Sequence, residues 1–270
     1  MTRLRDRLVD RLKAEGTIRS PAVEAAMRAV PREVFASWLS EREAYANKAV
    51  RNPATSKENP STISQPTAVA LFLEGFGLEP GMNVLEIGAG TGYQAALVAH
   101  IVGTAGRITT IDITESLVKQ ARRNFAHLDI ENASAVLGDG ALGYPEAAPY
   151  DRIVATVGIR EVPMLWSAQL KPGGRIAAPL HLGGEPHQHV LVSLAREGDG
   201  LTGRGLASLN MVILQGAYAD LQEEVWCGED WRGGYAHELR VQVRPKDVTL
   251  EPSARQKLIH KGETTVLVEV

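Results

Sequence analysis

The ten residues Val84-Leu85-Glu86-Ile87-Gly88-Ala89-Gly90-Thr91-Gly92-Tyr93 decide the fold of this chain. A short apolar run, Asn83–Ile87, meets three glycines at alternate positions, and helical spacing follows over residues 92–102. In an open α/β sheet the ligand crevice lies at the carboxyl ends of the strands, and a glycine-rich turn there lets backbone approach a nucleotide-like ligand. The spacing is G-x-G-x-G, with Tyr93 at the third glycine position of the dinucleotide pattern G-x-G-x-x-G. A diphosphate is thereby disfavoured. Asp112 closes the next strand, 24 residues beyond Gly88, near the roughly 20-residue spacing of a ribose-binding carboxylate. Its two oxygens suit two ribose hydroxyls. Glu86, just before the glycines, would repel a diphosphate and attract a cationic amino-acid group. The two acids point to S-adenosylmethionine, which carries an ammonium and a sulfonium and no phosphate. A nicotinamide or other nucleotide, and a plain turn without cofactor, stay open on these residues alone.

Outward from this turn the rhythm is strand, helix, strand. Arg107–Asp112 and Ala133–Leu137 read as strands, as do residues 150–157 and 175–180, with helices over 67–76, 114–127 and 164–170. Short apolar strands alternating with amphipathic helices predict a doubly wound, Rossmann-like α/β sheet. Upstream, Leu4, Leu8 and Leu12 mark an amphipathic helix, and Ser20-Pro21 starts a second one that Pro31 ends. Residues 40–61 read as a long polar loop. After Pro186 the pattern turns to β, with strands at 189–196, 206–214, 239–243 and 264–270, and a helix near 252–260. The organisation expected is N-terminal helices and a substrate and cofactor loop over 1–66, a core over 67–216, and an α+β extension over 217–270 packed on that core.

The composition excludes several classes. The 270 residues correspond to about 1.8 domains at roughly 150 residues each. An apolar fraction of 44% excludes disorder as the main state. Net charge is −3, so no global field favours nucleic acid. Cys227 is the single cysteine, which excludes a disulfide framework and a cysteine-based zinc site. No apolar run approaches the ~18 residues of a membrane span, and charges interrupt any signal-peptide core in the first 16 residues. A cytoplasmic protein without membrane or nucleic-acid partners is expected.

Several stretches together resemble the protein-L-isoaspartate O-methyltransferase family. They are Val30-Pro31-Arg32-Glu33-Val34-Phe35, Ser61-Thr62-Ile63-Ser64-Gln65-Pro66, the glycine turn with Tyr93-Gln94, Gly138-Asp139-Gly140, Pro149-Tyr150-Asp151 and Lys171-Pro172-Gly173-Gly174-Arg175. The resemblance covers about residues 1–216. It implies the fold of the class I S-adenosylmethionine-dependent methyltransferases, with S-adenosylhomocysteine as cofactor product. It implies cofactor contacts from Thr62, Ile63, Ser64, Glu86, Gly88, Gly90, Gly92, Asp112, Asp139 and Gly140. By the same resemblance Ser64 is the catalytic residue, orienting the substrate carboxylate. The implied partner is a protein or peptide bearing aspartyl or isoaspartyl residues, whose methyl ester collapses to a succinimide. A carboxylate with a pKa near ~4 is already ionised at neutral pH, so no general base and no metal is expected. Two residues keep a second reading: Ser64 as a helix N-cap ahead of Pro66, and Asp139 as part of a simple turn.

The chain also departs from the family pattern. Thr156-Val157-Gly158-Ile159-Arg160-Glu161-Val162-Pro163 replaces the usual alanine-rich stretch, and Val157, Gly158, Ile159 and Arg160 are expected to border the substrate. That loop, the segment with Arg51, Lys57 and Glu58, and the added C-terminal residues resemble an actinobacterial subgroup that methylates one aspartate of a ribosomally made peptide such as a lanthipeptide or graspetide. A macrocyclic precursor peptide is thus the alternative partner, with isoaspartate repair the main reading. A nicotinamide-dependent oxidoreductase and a non-catalytic relative stay open as different classes. His181, His187 and His189 read as a solvated turn rather than a metal site, and Trp226, Cys227 and Trp231 as packing for the extension.

Overall fold

The computed structural model describes residues 2–56, 60–182, 188–211, 214, 223–226, 239–245, 256–261 and 264–269. The chain divides into two compact units, Met1–Gly138 and Asp139–Val270.

The first unit opens with helices α1 (Thr2–Ala14), α2 (Pro21–Ala29), α3 (Arg32–Phe35) and α4 (Glu41–Ala44). Leu8, Val9 and Leu12 are the buried face of α1. Ser20 caps α2 by accepting from the Val23 N–H, and Pro21 occupies the first turn, where a missing N–H costs nothing. The carboxylate of Glu74 accepts the N–H groups of Arg19 and Ser20, each at 2.9 Å, and so joins the start of α2 to a helix 54 residues away in sequence. The expected loop over 40–61 holds more structure than its polarity suggests. Ser40 and Glu43 form a reciprocal capping box on α4, and β1 (Val50–Arg51) pairs antiparallel with β2 (Thr62–Ile63). Four-residue and two-residue elements are too short to leave a periodic signal.

Next come α5 (Pro66–Phe76), β3 (Asn83–Ile87), α6 (Tyr93–Val102), β4 (Arg107–Asp112), α7 (Glu115–His127) and β5 (Ala133–Leu137). The strands β3, β4 and β5 are parallel neighbours, with Glu86 opposite Thr110 and Asp112 opposite Leu137. All five residues of β3 are buried, as a parallel strand covered on both faces requires. Nine of the ten residues of α6 are buried, so this helix is apolar all round and packs against α2 and β4.

The second unit contains β6 (Tyr150–Ala155), α8 (Met164–Ala168), β7 (Leu170–Leu180), β8 (Gln188–Glu197), β9 (Gly200–Asn210), β10 (Glu223–Trp226), β11 (Arg240–Pro245), β12 (Gln256–Lys261) and β13 (Thr264–Glu269). Within this unit the strand order is β10-β12-β13-β11-β9-β8-β7-β6. Among the strands described in this unit only β6 and β7 pair in parallel, and the later pairings are antiparallel. The strand expected at 175–180 already begins at Leu170, because the register of β6 against β7 shifts across Lys171–Gly174. The strand expected at 206–214 runs instead over Gly200–Asn210. The helix expected near 252–260 is corrected as well. Residues 256–260 form β12, hydrogen-bonded to β13 on one side and β10 on the other. Long-range pairing overrides the local signal there. Residues 251–255, Cys227 and Trp231 lie outside the described residues. Among the described residues no helix is long and apolar enough to cross a membrane.

One glycine carries a specific packing demand. Gly92 caps α6 at φ 88°, and a Cβ there would lie 2.8 Å from the Phe125 ring. The left-handed conformation alone costs about 1–2 kcal/mol for an L residue, and α7 would have to shift. Gly92→Ala is therefore expected to lower the unfolding free energy by about 2 kcal/mol or more, measured by urea denaturation. A midpoint and slope equal to those of the parent would contradict this account.

Candidate functional site

The glycine turn is fastened to the neighbouring strand by backbone and carboxylate. The N–H groups of Gly88 and Ala89 donate to the Ile111 carbonyl at 2.9 and 3.2 Å. The Gly90 N–H donates to Asp112 Oδ2 at 3.0 Å, and the Thr114 N–H donates to Asp112 Oδ1 at 2.9 Å. Gly88, Gly90 and Gly92 all have positive φ, at 97°, 52° and 88°. Three glycines in left-handed backbone explain the G-x-G-x-G spacing, since side chains there would be strained. Burial raises the Asp112 carboxyl above its usual range, and the Thr114 and Gly90 N–H groups oppose that rise. A carboxylate offers about four acceptor sites, so each Asp112 oxygen keeps capacity beyond its backbone bond. That is what a pair of ribose hydroxyls requires.

Glu86 is fully buried at the base of the turn. The Thr110 hydroxyl donates to Glu86 Oε2 at 2.5 Å. Glu86 Oε1 has no hydrogen-bond partner among the described residues. Burial pushes this carboxyl up to about 8, the Thr110 hydrogen bond opposes the rise, and the charge of Asp112 adds to it. An unsatisfied buried carboxylate oxygen costs free energy unless a donor meets it. A ligand ammonium is a donor of matching charge, and a diphosphate is not. A Cβ on Gly90 would meet nothing closer than Ser61 Oγ at 3.8 Å, so the turn leaves room above its backbone. These residues fit a ligand with a cationic amino-acid end and a ribose.

Thr62 and Ile63 form β2, and Ser64 follows it, half-buried. The N-cap of α5 is Gln65 and carries no side-chain capping bond, so the reading of Ser64 as a helix cap does not hold. Its hydroxyl makes no hydrogen bond among the described residues, while its carbonyl accepts from Arg32 Nη2 at 2.8 Å. Arg32 is 1% exposed. It also donates through Nε to the Ala44 carbonyl at 2.7 Å. Its guanidinium lies 5.1 Å from the centroid of the Tyr93 ring. In the sequence Arg32 stands out only as part of a family motif, and Tyr93 only there and at the third glycine position of the dinucleotide pattern. Thr110, the partner of Glu86, left no signal at all, because register between strands is not written locally.

In the second unit, Asp139 accepts the Ala141 N–H at 2.9 Å and caps a short 3-10 turn over Gly140–Leu142. The indole of Trp166 donates to the Gly140 carbonyl at 2.9 Å. The turn reading of Asp139 is thus realised, and Asp139 Oδ1 is partly committed to it. Gly158 and Ile159 are buried, and Val157 and Arg160 half-buried. The Ile159 N–H donates to the Pro179 carbonyl at 2.8 Å and its carbonyl accepts from the His181 N–H at 2.9 Å. The loop is thereby tied to the end of β7. His181 and His189 are 9% and 2% exposed, with ring centroids 5.6 Å apart. These two are packed together, not solvated as expected. His187 and Glu185 lie outside the described residues. Among the described residues no group of three or more His, Cys, Asp or Glu side chains is placed to hold a metal ion.

The chain is similar to a well-populated enzyme group. The family model described as protein-L-isoaspartate(D-aspartate) O-methyltransferase matches residues 3–215. The protein-L-isoaspartate O-methyltransferase of Pyrococcus horikoshii is 40% identical over 193 residues, which is 71% of this chain and 83% of that protein. The protein of the same name from Hyperthermus butylicus is 38% identical over 222 residues, covering 79% and 89%. A solved protein-L-isoaspartate O-methyltransferase superposes with a TM-score of 0.74 at 26% identity, over 98% of this chain and 88% of that one. A putative counterpart from Plasmodium falciparum, crystallised with S-adenosyl-L-homocysteine, gives a TM-score of 0.66 at 20% identity over 78% and 98%. The strand and helix rhythm predicted a Rossmann-like sheet and the family resemblance implied its class I S-adenosylmethionine-dependent methyltransferase form, and that is the fold of this chain. With a family match spanning residues 3–215, the chain belongs to the protein-L-isoaspartate(D-aspartate) O-methyltransferase family.

Proposed function

We propose that this chain is an S-adenosylmethionine-dependent carboxyl O-methyltransferase acting on isoaspartyl and aspartyl residues of proteins or peptides. The observation that carries the reading is the acidic glycine turn, in which Glu86 offers a buried oxygen without a partner beside the backbone-tethered Asp112. Family membership over residues 3–215 supports it. When bound, S-adenosylmethionine supplies an electrophilic methyl group. Glu86 holds the ammonium and Asp112 the ribose hydroxyls. Gly88, Gly90 and Gly92 let the backbone come close, and Thr62, Ile63, Asp139 and Gly140 complete the contacts.

Ser64 orients the substrate carboxylate through its uncommitted hydroxyl. Val157, Gly158, Ile159 and Arg160 border the peptide. No side chain needs to remove a proton, because the nucleophile is already ionised. The site contributes alignment and exclusion of water. The methyl ester then loses its alkoxide to attack by the next backbone nitrogen, closing the succinimide without further help. We place the work in a reducing compartment such as the cytoplasm, in keeping with one cysteine in 270 residues.

Methyl transfer to a short linear isoaspartyl peptide, measured as methanol released from the base-labile ester, tests the activity. Calorimetry with S-adenosylhomocysteine and with NAD tests the cofactor. Binding of NAD alone would overturn the reading. A competition between the linear peptide and a macrocyclic aspartyl peptide decides between repair and peptide tailoring. Preference for the linear isoaspartyl peptide is expected.

Ser64→Ala is expected to lower kcat by about tenfold to a hundredfold, because orientation of reactants is what it supplies. Its S-adenosylhomocysteine affinity should stay within about threefold of the parent. Equal turnover in the two proteins would remove Ser64 from the mechanism.

The carboxyl of Glu86 gives a pH dependence of definite sign. Its pKa rises from the usual 4.5 to about 8 in the folded chain. Between those values the folded protein holds a proton that the unfolded chain has lost. Stability without ligand therefore falls as pH rises through that window. The ionised form is the one that pairs with an ammonium. S-adenosylhomocysteine binding near pH 7 should thus release a proton and tighten as pH climbs towards 8. Calorimetry in buffers of different ionisation enthalpy measures the release, and Glu86→Gln should abolish it. A parent protein that releases no proton would contradict this role.

A further inference from the structure

Arg32 is a buried cation with an unusual set of partners. It makes no ion pair among the described residues, and its Nη1 has no hydrogen-bond partner among them. The neighbouring Glu33 is occupied elsewhere. Tyr45 donates its hydroxyl to Glu33 Oε2, and Arg5 meets Glu33 Oε1 at 3.4 Å. Arg32 instead spans three segments that are far apart in sequence: the Ala44 carbonyl, the Ser64 carbonyl and the face of Tyr93. Burying a charge without a carboxylate costs several kcal/mol, and an apolar side chain of similar volume would fill the same space more cheaply. Packing is therefore a poor reason for an arginine here. Its planar fork, which reaches two carbonyls while the cation lies over a ring, is a good one.

Ser64 needs such a hold. The β1–β2 pair beside it has two residues in each strand, and an isolated pair that short is marginal in water. Ser64 is one residue beyond that pair and precedes an N-cap with no side-chain bond. The bond from Arg32 Nη2 is the one hydrogen bond made to Ser64 among the described residues. At its other end the guanidinium rests on Tyr93, the first residue of α6 and the direct continuation of the glycine turn.

We propose that Arg32 is a positioning residue for methyl transfer, holding the main chain at Ser64 in a constant relation to the glycine turn. This rests on the reading that the Ser64 hydroxyl orients the substrate carboxylate. In-line transfer needs reacting atoms about 3–3.5 Å apart, and a displacement of about 1 Å can cost on the order of a hundredfold. Ser64 acts on one partner of the reaction and the glycine turn on the other, so the link between them sets the alignment.

A double-mutant cycle tests it, with kcat and KM for a linear isoaspartyl peptide measured in Arg32→Met, Ser64→Ala and the double variant. Arg32→Met is expected to lower kcat by about tenfold or more, with a smaller change in KM. In the Ser64→Ala background the same change should cost less than about twofold, because the group it positions is gone. Arg32→Lys keeps the charge without the fork, so its kcat should fall between the parent and Arg32→Met. It also carries the same cycle if melting followed by circular dichroism finds Arg32→Met unfolded. Equal factors in both backgrounds would overturn the inference and leave the role of Ser64 standing. A folded Arg32→Met with parental kcat would do the same. If Ser64→Ala itself turns over normally, the reading of Ser64 fails, and the role assigned to Arg32 falls with it.

Discussion

Asp112 ties the glycine turn to the end of the adjacent strand, and much of the first unit is arranged around that tether. Its two oxygens take the N–H groups of Gly90 and Thr114, so one carboxylate fixes both the turn after β3 and the entry to α7. The left-handed glycines allow the chain to make that turn, and Phe125 on α7 closes against the last of them. Loss of this tether would free the turn, the helix start and the carboxylate together.

Glu86 extends the same logic into the interior. It pairs with Thr110 across parallel strands and keeps one oxygen without a partner. An unpaired carboxylate is costly in a low-dielectric interior, and burial raises the Glu86 carboxyl to about 8. The opposite device appears at Arg32, whose charge is balanced by carbonyl dipoles and a ring face rather than by a carboxylate. Glu86 and Arg32 are both buried, at 0% and 1% exposed.

Much of this was legible in the residues. The strands at Asn83–Ile87, Arg107–Asp112 and Ala133–Leu137 were readable to the residue. Each is a short apolar run bounded by a polar or glycine-containing turn. Gly88, Gly90 and Gly92 marked the turn by their spacing, and the structure gives all three positive φ. Other features were not legible, because their cause lies far away in the chain. Residues 256–260 have no strong strand pattern and become a strand through β13 and β10. His181 and His189 are eight positions apart, yet the antiparallel register that sets Leu180 opposite Val190 brings the two rings together. Polarity alone suggested a solvated turn.

The sequence by itself determined the α/β class and the acidic glycine turn, and its motifs carried the resemblance to the family. The first two follow from local chemistry: which runs are apolar, where the glycines cluster, and which charge stands beside the turn. Only the tertiary structure decided that Glu86 is buried with a free oxygen, that Asp112 is held by two backbone N–H groups, and that Ser64 hangs from Arg32. Those are facts of register and packing between segments tens of residues apart, and no local property of the chain encodes them.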